Sequence, residues 1–254
     1  MFYQSKNLFP MKKLLYFLLF FAFVSCKKDE VPTPEAFCHI VSNKVQYESD
    51  SDNYQYEDVI TFNNNGQLSS WGPNNTYEWT GNQLIQRVFY NGQLQSKSTY
   101  ELDASGRALS QITTGIDGSY DYSELFEYNA SGQLTRVVRA GNYASETVKE
   151  WSGGNLVREE NTTAFGDVRT STYTYSNLLT PKTYDVLGIF GKGSLVLRAS
   201  ENNVYSFGAS SSYTHYTHDY ELDVNGNVLR EIIVGVSQGE AVQITIEYGF
   251  EGCE

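Results

Sequence analysis

The chain has 254 residues, a length that one all-β domain can fill and that buries a core without difficulty. Thirty acidic side chains against 18 basic ones leave a formal charge of −12, and 20 Tyr with 14 Phe make it rich in aromatics. Such a composition excludes disorder, and Arg87, Arg107, Arg136, Arg139, Arg158 and Arg198, scattered among carboxylates, exclude a groove for nucleic acid.

In chain order, Lys12-Lys13, an apolar run from Leu14 to Val24 and Ser25-Cys26 form the three parts of a secretory leader over residues 1–25. The run is too short to cross a bilayer as a helix. Phe23-Val24-Ser25-Cys26 reads as a lipobox, so Cys26 is the expected site of lipid attachment and of cleavage. Removing the leader with Lys6, Lys12 and Lys13 takes the charge from −12 to −15. Residues 26–36, charged and containing Pro32 and Pro34, have nothing to bury and are predicted to be a flexible tether, with the folded domain spanning 37–254.

With Cys26 assigned to lipid, Cys38 and Cys253 remain as an even pair at the two ends of that domain. In an oxidising compartment outside the cytoplasm a disulfide between them is expected, on the order of 3 to 5 kcal/mol of stabilisation by loop-closure entropy. Glu48, Asp50, Asp52, Glu57 and Asp58 form the densest acidic stretch but lack the glycine and distal glutamate of a calcium loop, so a solvated hairpin is expected there.

From Phe62 onward the chain repeats one phrase: aromatics at i and i+2, a polar loop ending in Gly, then Leu or Val. The clearest copies run from Tyr100 to Leu109, Phe126 to Leu134 and Tyr220 to Leu229; looser ones are Phe62 to Leu68, Tyr77 to Leu84, Trp151 to Leu156 and Tyr173 to Leu178. The paired aromatics share one strand face. The Asp or Asn that opens the loop can accept from the backbone two residues on, and Gly106, Gly132 and Gly226 supply the positive φ of a hairpin loop. Val242 to Tyr248 alternates apolar and polar residues, as a half-buried antiparallel strand does.

Trp71, Trp79, Trp151 and Phe190 are the candidate ligand-binding side chains, since exposed aromatic rings make stacking platforms; burial in the core is the alternative for each Trp. Gly188 to Ser194 interrupts the repeats and lacks the Ser or Thr that a phosphate-cradling loop needs after its Lys, so no nucleotide is expected. With Leu187, Ile189 and Phe190 near its tip, this loop is read as a cap over the end of the sheet, with a binding loop as the alternative. His215 and Asp219 lie on the strand face opposite His218, so no metal site forms from them and no metal or cofactor is expected. Neither of the two commonest hydrolase signatures occurs.

The repeated phrase resembles the YD repeat of Rhs-type proteins, and the chain as a whole resembles YD-repeat lipoproteins of unknown function in Bacteroidetes. Cys26-Lys27-Lys28-Asp29-Glu30 is similar to the charged export signal of surface lipoproteins in that group. The resemblance implies an all-β antiparallel meander of repeated hairpins in a curved, twisted sheet, open or partly closed, lipid-anchored at the outer membrane and facing the medium. A membrane-spanning barrel is the competing architecture, disfavoured because Ser, Thr, Gln and Glu interrupt both faces of most strands. The functional expectation is a non-catalytic surface module binding a glycan or an envelope protein. The alternatives are a carboxylate-dependent glycan hydrolase, and a structural subunit joined through its sheet edges.

Overall fold

The computed structural model describes residues 39–118, 120–180, 187–208, 210–237 and 239–251. The leader, the tether, Cys26, Cys38 and Cys253 lie outside the described residues. Among the described residues all regular structure is strand: β1 (His39–Ser49), β2 (Asn53–Phe62), β3 (Leu68–Trp71), β4 (Asn75–Thr80), β5 (Gln83–Tyr90), β6 (Gln93–Leu102), β7 (Ala108–Gly115) and β8 (Tyr122–Tyr128) form the first half. The second half comprises β9 (Leu134–Gly141), β10 (Ser145–Ser152), β11 (Asn155–Thr163), β12 (Val168–Leu179), β13 (Val196–Phe207), β14 (Ser210–Leu222), β15 (Val228–Ser237) and β16 (Glu240–Glu251).

Each strand pairs antiparallel with its chain neighbours, and β1 pairs with β16 from His39↔Glu251 to Ser49↔Val242, so the sheet is a closed barrel. This corrects the expectation of an open or partly closed sheet. Local alternation reveals strands and hairpins, but closure depends on the pairing of the first strand with the last, about two hundred residues apart in sequence, which no local pattern reports. Closure also leaves no unpaired sheet edge, so the structural subunit joined through its edges has no edge to use.

The loops explain why the hairpins recur. Asn63, Asp103, Asn129 and Asp223 each accept, through the side-chain oxygen, the backbone N–H groups two and four residues on. In each the first residue's N–H also donates to the carbonyl four residues later, and the Gly in fourth position takes φ of 72–84°. A register shift in the preceding strand accompanies every one of the four, as a bulge-closed hairpin requires. Thr163 to Asp167 builds the same loop with a threonine hydroxyl in place of the Asx oxygen. Tyr173 to Leu178, read from sequence as a looser copy of the phrase, lies inside β12 instead and contains no turn.

Hydrogen bonds from Ser105 and from Arg107 hold the Asp103 carboxyl far below the usual carboxylate range, and Asn227 does the same, less strongly, for Asp223. A carboxylate whose folded pKa is depressed contributes stability above its unfolded value of about 4, and that contribution fades as pH falls toward the folded value. The melting temperature is therefore expected to drop as pH is lowered below about 4, and Asp103→Asn is expected to flatten that drop. Asn63 and Asn129 show that asparagine holds the same loop. Melting curves at stepped pH check this, and an unchanged acid profile in the variant would refute it.

Strand register sorts the side chains into two walls. Val45, Tyr56, Tyr77, Gln86, Ser98, Thr113, Tyr122, Arg139, Thr147, Asn161, Arg169, Tyr205, Ser212, Gly235 and Val242 are linked through cross-strand partners along the inner wall. Val242, Ile244, Ile246 and Tyr248 point inward with them, the face that their alternation selects.

The apolar core occupies one end of this interior, here called the floor. Leu68, Leu84, Leu102, Ala108 and Leu134 stand next to the floor-end turns, and with Ile40, Ile60, Phe126 and Ile189 they form two adjoining clusters that share Tyr77 and Leu187 as packing partners. Ile189 comes from the β12–β13 connection, which enters the barrel end: Ala108 N–H donates to the Ile189 carbonyl, Lys192 N–H donates to the Gly132 carbonyl, and Gly191 bridges Gln133. Gly191 (φ 78°) fits against the backbone of Gly132 where any Cβ would meet its carbonyl oxygen at 2.3 Å. The segment that breaks the repeats thus packs into the floor end of the barrel.

Candidate functional site

Above the floor the inner wall turns from apolar to polar. Between β5 and β8 a cavity of about 390 Å³ is lined by Gln86, Val88, Ser96, Ser98, Tyr100, Gln111, Thr113, Tyr122 and Glu124. Phe190 from the β12–β13 connection and Tyr120 from the loop at the opposite, mouth end complete the lining. Alternation places these polar groups inside, because each strand gives every second residue to the lumen.

The lining is already ordered by its own hydrogen bonds. Gln111 Nε2 donates to Thr113 Oγ1 at 2.8 Å, and Thr113 and Ser98 share a hydroxyl–hydroxyl bond of 2.8 Å. Gln86 accepts from Tyr100 at 3.5 Å and donates to Asn75 and Tyr77 at 3.4 Å. Glu124 is neutralised by Arg139, whose Nε and Nη2 both reach Oε1 at 2.8 Å while its guanidinium lies 4.4 Å from the Tyr122 ring centre. Burial, followed by Tyr122 and Glu124, pushes the Tyr100 phenol well above its usual range, so it stays a neutral donor. Phe190 lies edge-on to Tyr100 at 6.2 Å and 5.4 Å from Phe126, yet keeps 36% of its surface exposed, although the adjacent Ile189 keeps 1%.

The other carboxylates of the inner wall are also paired. Glu159 bonds Lys149, Glu201 bonds Arg198, and Asp58 accepts from the Trp71 indole at 3.1 Å. Glu231 meets His218 Nδ1 at 2.8 Å and accepts from Tyr248 at 3.2 Å, with both the His218 and Glu231 side chains 7% exposed. One carboxylate, Glu124, borders the cavity, whereas glycoside hydrolysis ordinarily needs two across a cleft. Among the described residues no group of three or more His, Cys, Asp or Glu could hold a metal ion.

The structure does not bring the four predicted aromatics together. Trp71 packs on the Ile40–Ile60–Leu68 cluster, and Trp79 lies on the Leu84 cluster and donates its indole N–H to the Leu68 carbonyl at 2.8 Å. Trp151 donates to the Leu134 carbonyl at 2.8 Å, so all three indoles serve the barrel's lining and core. Phe190 alone of the four borders the cavity. His218 stacks beside Tyr220 on the inner face, while His215 bonds Asn202 at 2.6 Å on the outer face. The acidic stretch forms the β1–β2 hairpin, with Glu48, Asp50, Asp52 and Glu57 exposed.

The sequence reading missed Gln86, Ser98, Gln111, Thr113 and Glu124. Their signal was present: a strand polar on both faces, inside a sheet with an apolar floor, is what a wet lumen looks like in one dimension.

The outer wall is also charged. Arg87 pairs with Glu78 at 2.9 Å, Arg136 bridges Glu127 and Glu146 at 2.7 Å each, and Arg158 bridges Glu150 and Glu160. These rungs sit in the middle of their strands, facing away from the lumen. Exposed pairs of this kind add little stability.

Fold and lumen together define a closed sixteen-stranded antiparallel barrel with an apolar floor and polar side chains above it. A crystal structure of a porin-like protein from Bacteroides uniformis has the same fold, matching 84% of this chain and 96% of that one at 18% identity with a TM-score of 0.60. Compared by sequence, the chain matches no protein-family profile and no curated protein.

Proposed function

We propose that this chain is a non-catalytic binding protein of the outer membrane, anchored by lipid on Cys26 and kin to YD-repeat surface lipoproteins, whose ligand site is the lumen. The observation that carries this reading is the pre-ordered cavity of about 390 Å³ between β5 and β8, within the range of about 300–1,000 Å³ usual for small-molecule sites. It is lined by aromatic rings and neutral hydrogen-bonding groups, with a single, neutralised carboxylate.

The barrel stands beside the bilayer rather than in it. A porin-like fold alone would suggest a membrane span, and strands of this length are long enough for one. An Arg or Lys facing lipid at mid-membrane costs about 2–4 kcal/mol. The outer wall carries Lys44 there, together with Arg87, Arg136 and Arg158 in their pairs with glutamates, and these charges oppose insertion although Val59, Ile112, Leu125 and Val234 also face outward.

Residues 27–254, produced without leader or lipid, are expected to remain monodisperse in buffer free of detergent. Light scattering checks this. Aggregation relieved by detergent would show that the outer wall belongs in lipid and would sink this reading.

A further inference from the structure

Resting on the reading of the lumen as a ligand site, we infer that the ligand is a neutral saccharide of one or two rings, held between Phe190 and the Ser98–Thr113–Gln111 hydrogen-bond chain.

The chemistry of the cavity selects this class in two ways. Sugar rings present an apolar C–H face and a rim of hydroxyls, each both donor and acceptor. Phe190, packed against Tyr100 and Phe126 and still 36% exposed at the cavity, supplies a ring for that face. Gln111, Thr113 and Ser98 supply hydroxyl and amide groups already oriented by one another, so little side-chain freedom remains to be lost on binding.

Charge excludes the alternatives. Arg139 occupies Glu124 Oε1 through two nitrogens, which leaves neither a free cation for an acidic sugar nor an uncompensated anion for an amine. The chain's net charge of −12 further disfavours anionic ligands. An extended peptide would seek an unpaired strand edge, and the closed barrel offers none. Cavity size limits the ligand to a short saccharide or the end of a longer chain.

The test is calorimetric titration of the intact mature protein with neutral hexoses and their disaccharides, with hexuronic acids, and with short peptides. Ser96→Trp fills the lumen, and Thr113→Val removes one hydroxyl while conserving volume. Both are checked for an unchanged circular-dichroism spectrum. The expected result is saturable binding of a neutral saccharide, abolished by Ser96→Trp and weakened about tenfold by Thr113→Val. Binding only of a hexuronic acid or a peptide, abolished by Ser96→Trp, would overturn the saccharide while keeping the lumen as the site. Binding indifferent to Ser96→Trp, or no binding by any class, would overturn both.

Discussion

Replacing Ile189 with alanine is expected to lower the unfolding free energy by about 2–5 kcal/mol, the range for truncating a fully buried aliphatic side chain. Ile189 belongs to an irregular connection, where truncation usually matters little, but it is 1% exposed and packs with Leu84, Leu102, Ala108, Phe126 and Leu134. Its carbonyl also takes the Ala108 N–H at 2.7 Å, so side chain and backbone both belong to the floor. Val224→Ala, in a hairpin loop and 100% exposed, is the control and is expected within about 0.5 kcal/mol of the parent. Urea unfolding of both variants measures the difference. Equal midpoints would mean that the segment rests on the barrel without contributing to its core.

The mature protein is expected to carry a Cys38–Cys253 disulfide, and reducing it should cost on the order of 3 to 5 kcal/mol. The seam of the barrel is the β1–β16 ladder, which starts at His39↔Glu251, one and two residues from the cysteines in sequence. A link there would join the two ends of the chain where closure has to be made, and would remove from the unfolded state the longest loop the domain can form. Thiol titration of the denatured, unreduced protein should detect no free cysteine, and the melting temperature should fall on adding reductant. Two reactive thiols in the untreated protein would end the idea.

Strands and hairpin loops were legible in the sequence because their causes are local. Asp103, Asn129 and Asp223 bond backbone groups within four residues, and the following glycines need only their own φ. The loop at Thr163 escaped because a hydroxyl replaced the expected carboxamide or carboxylate, although it accepts the same two N–H groups. Closure was illegible for the opposite reason: it rests on β1 meeting β16. Polar residues on both strand faces argued against a barrel, yet a closed barrel with a polar interior carries them as well. The tryptophans were singled out for their rings, yet their indole N–H groups found backbone carbonyls or Asp58 on the inner wall. Gln86, Ser96, Ser98, Gln111 and Thr113 on the cavity wall are ordinary side chains, which become a candidate site only when three strands bring them side by side.

The two ends of the barrel answer to different demands. The floor-end turns that open at Asn63, Asp103 and Asn129 are tied by Asx oxygens, and the buried residues beside them, Leu68, Leu102, Ala108 and Leu134, pack in the clusters that Leu187 and Ile189 join, so truncating those residues is felt by the core. The mouth-end connection around Tyr120 touches the cavity but none of the core clusters. Sequence change at the mouth can therefore reshape the rim of the cavity while leaving the floor packing in place. A lineage of such barrels would be expected to keep one floor and diversify its rims without renegotiating its architecture.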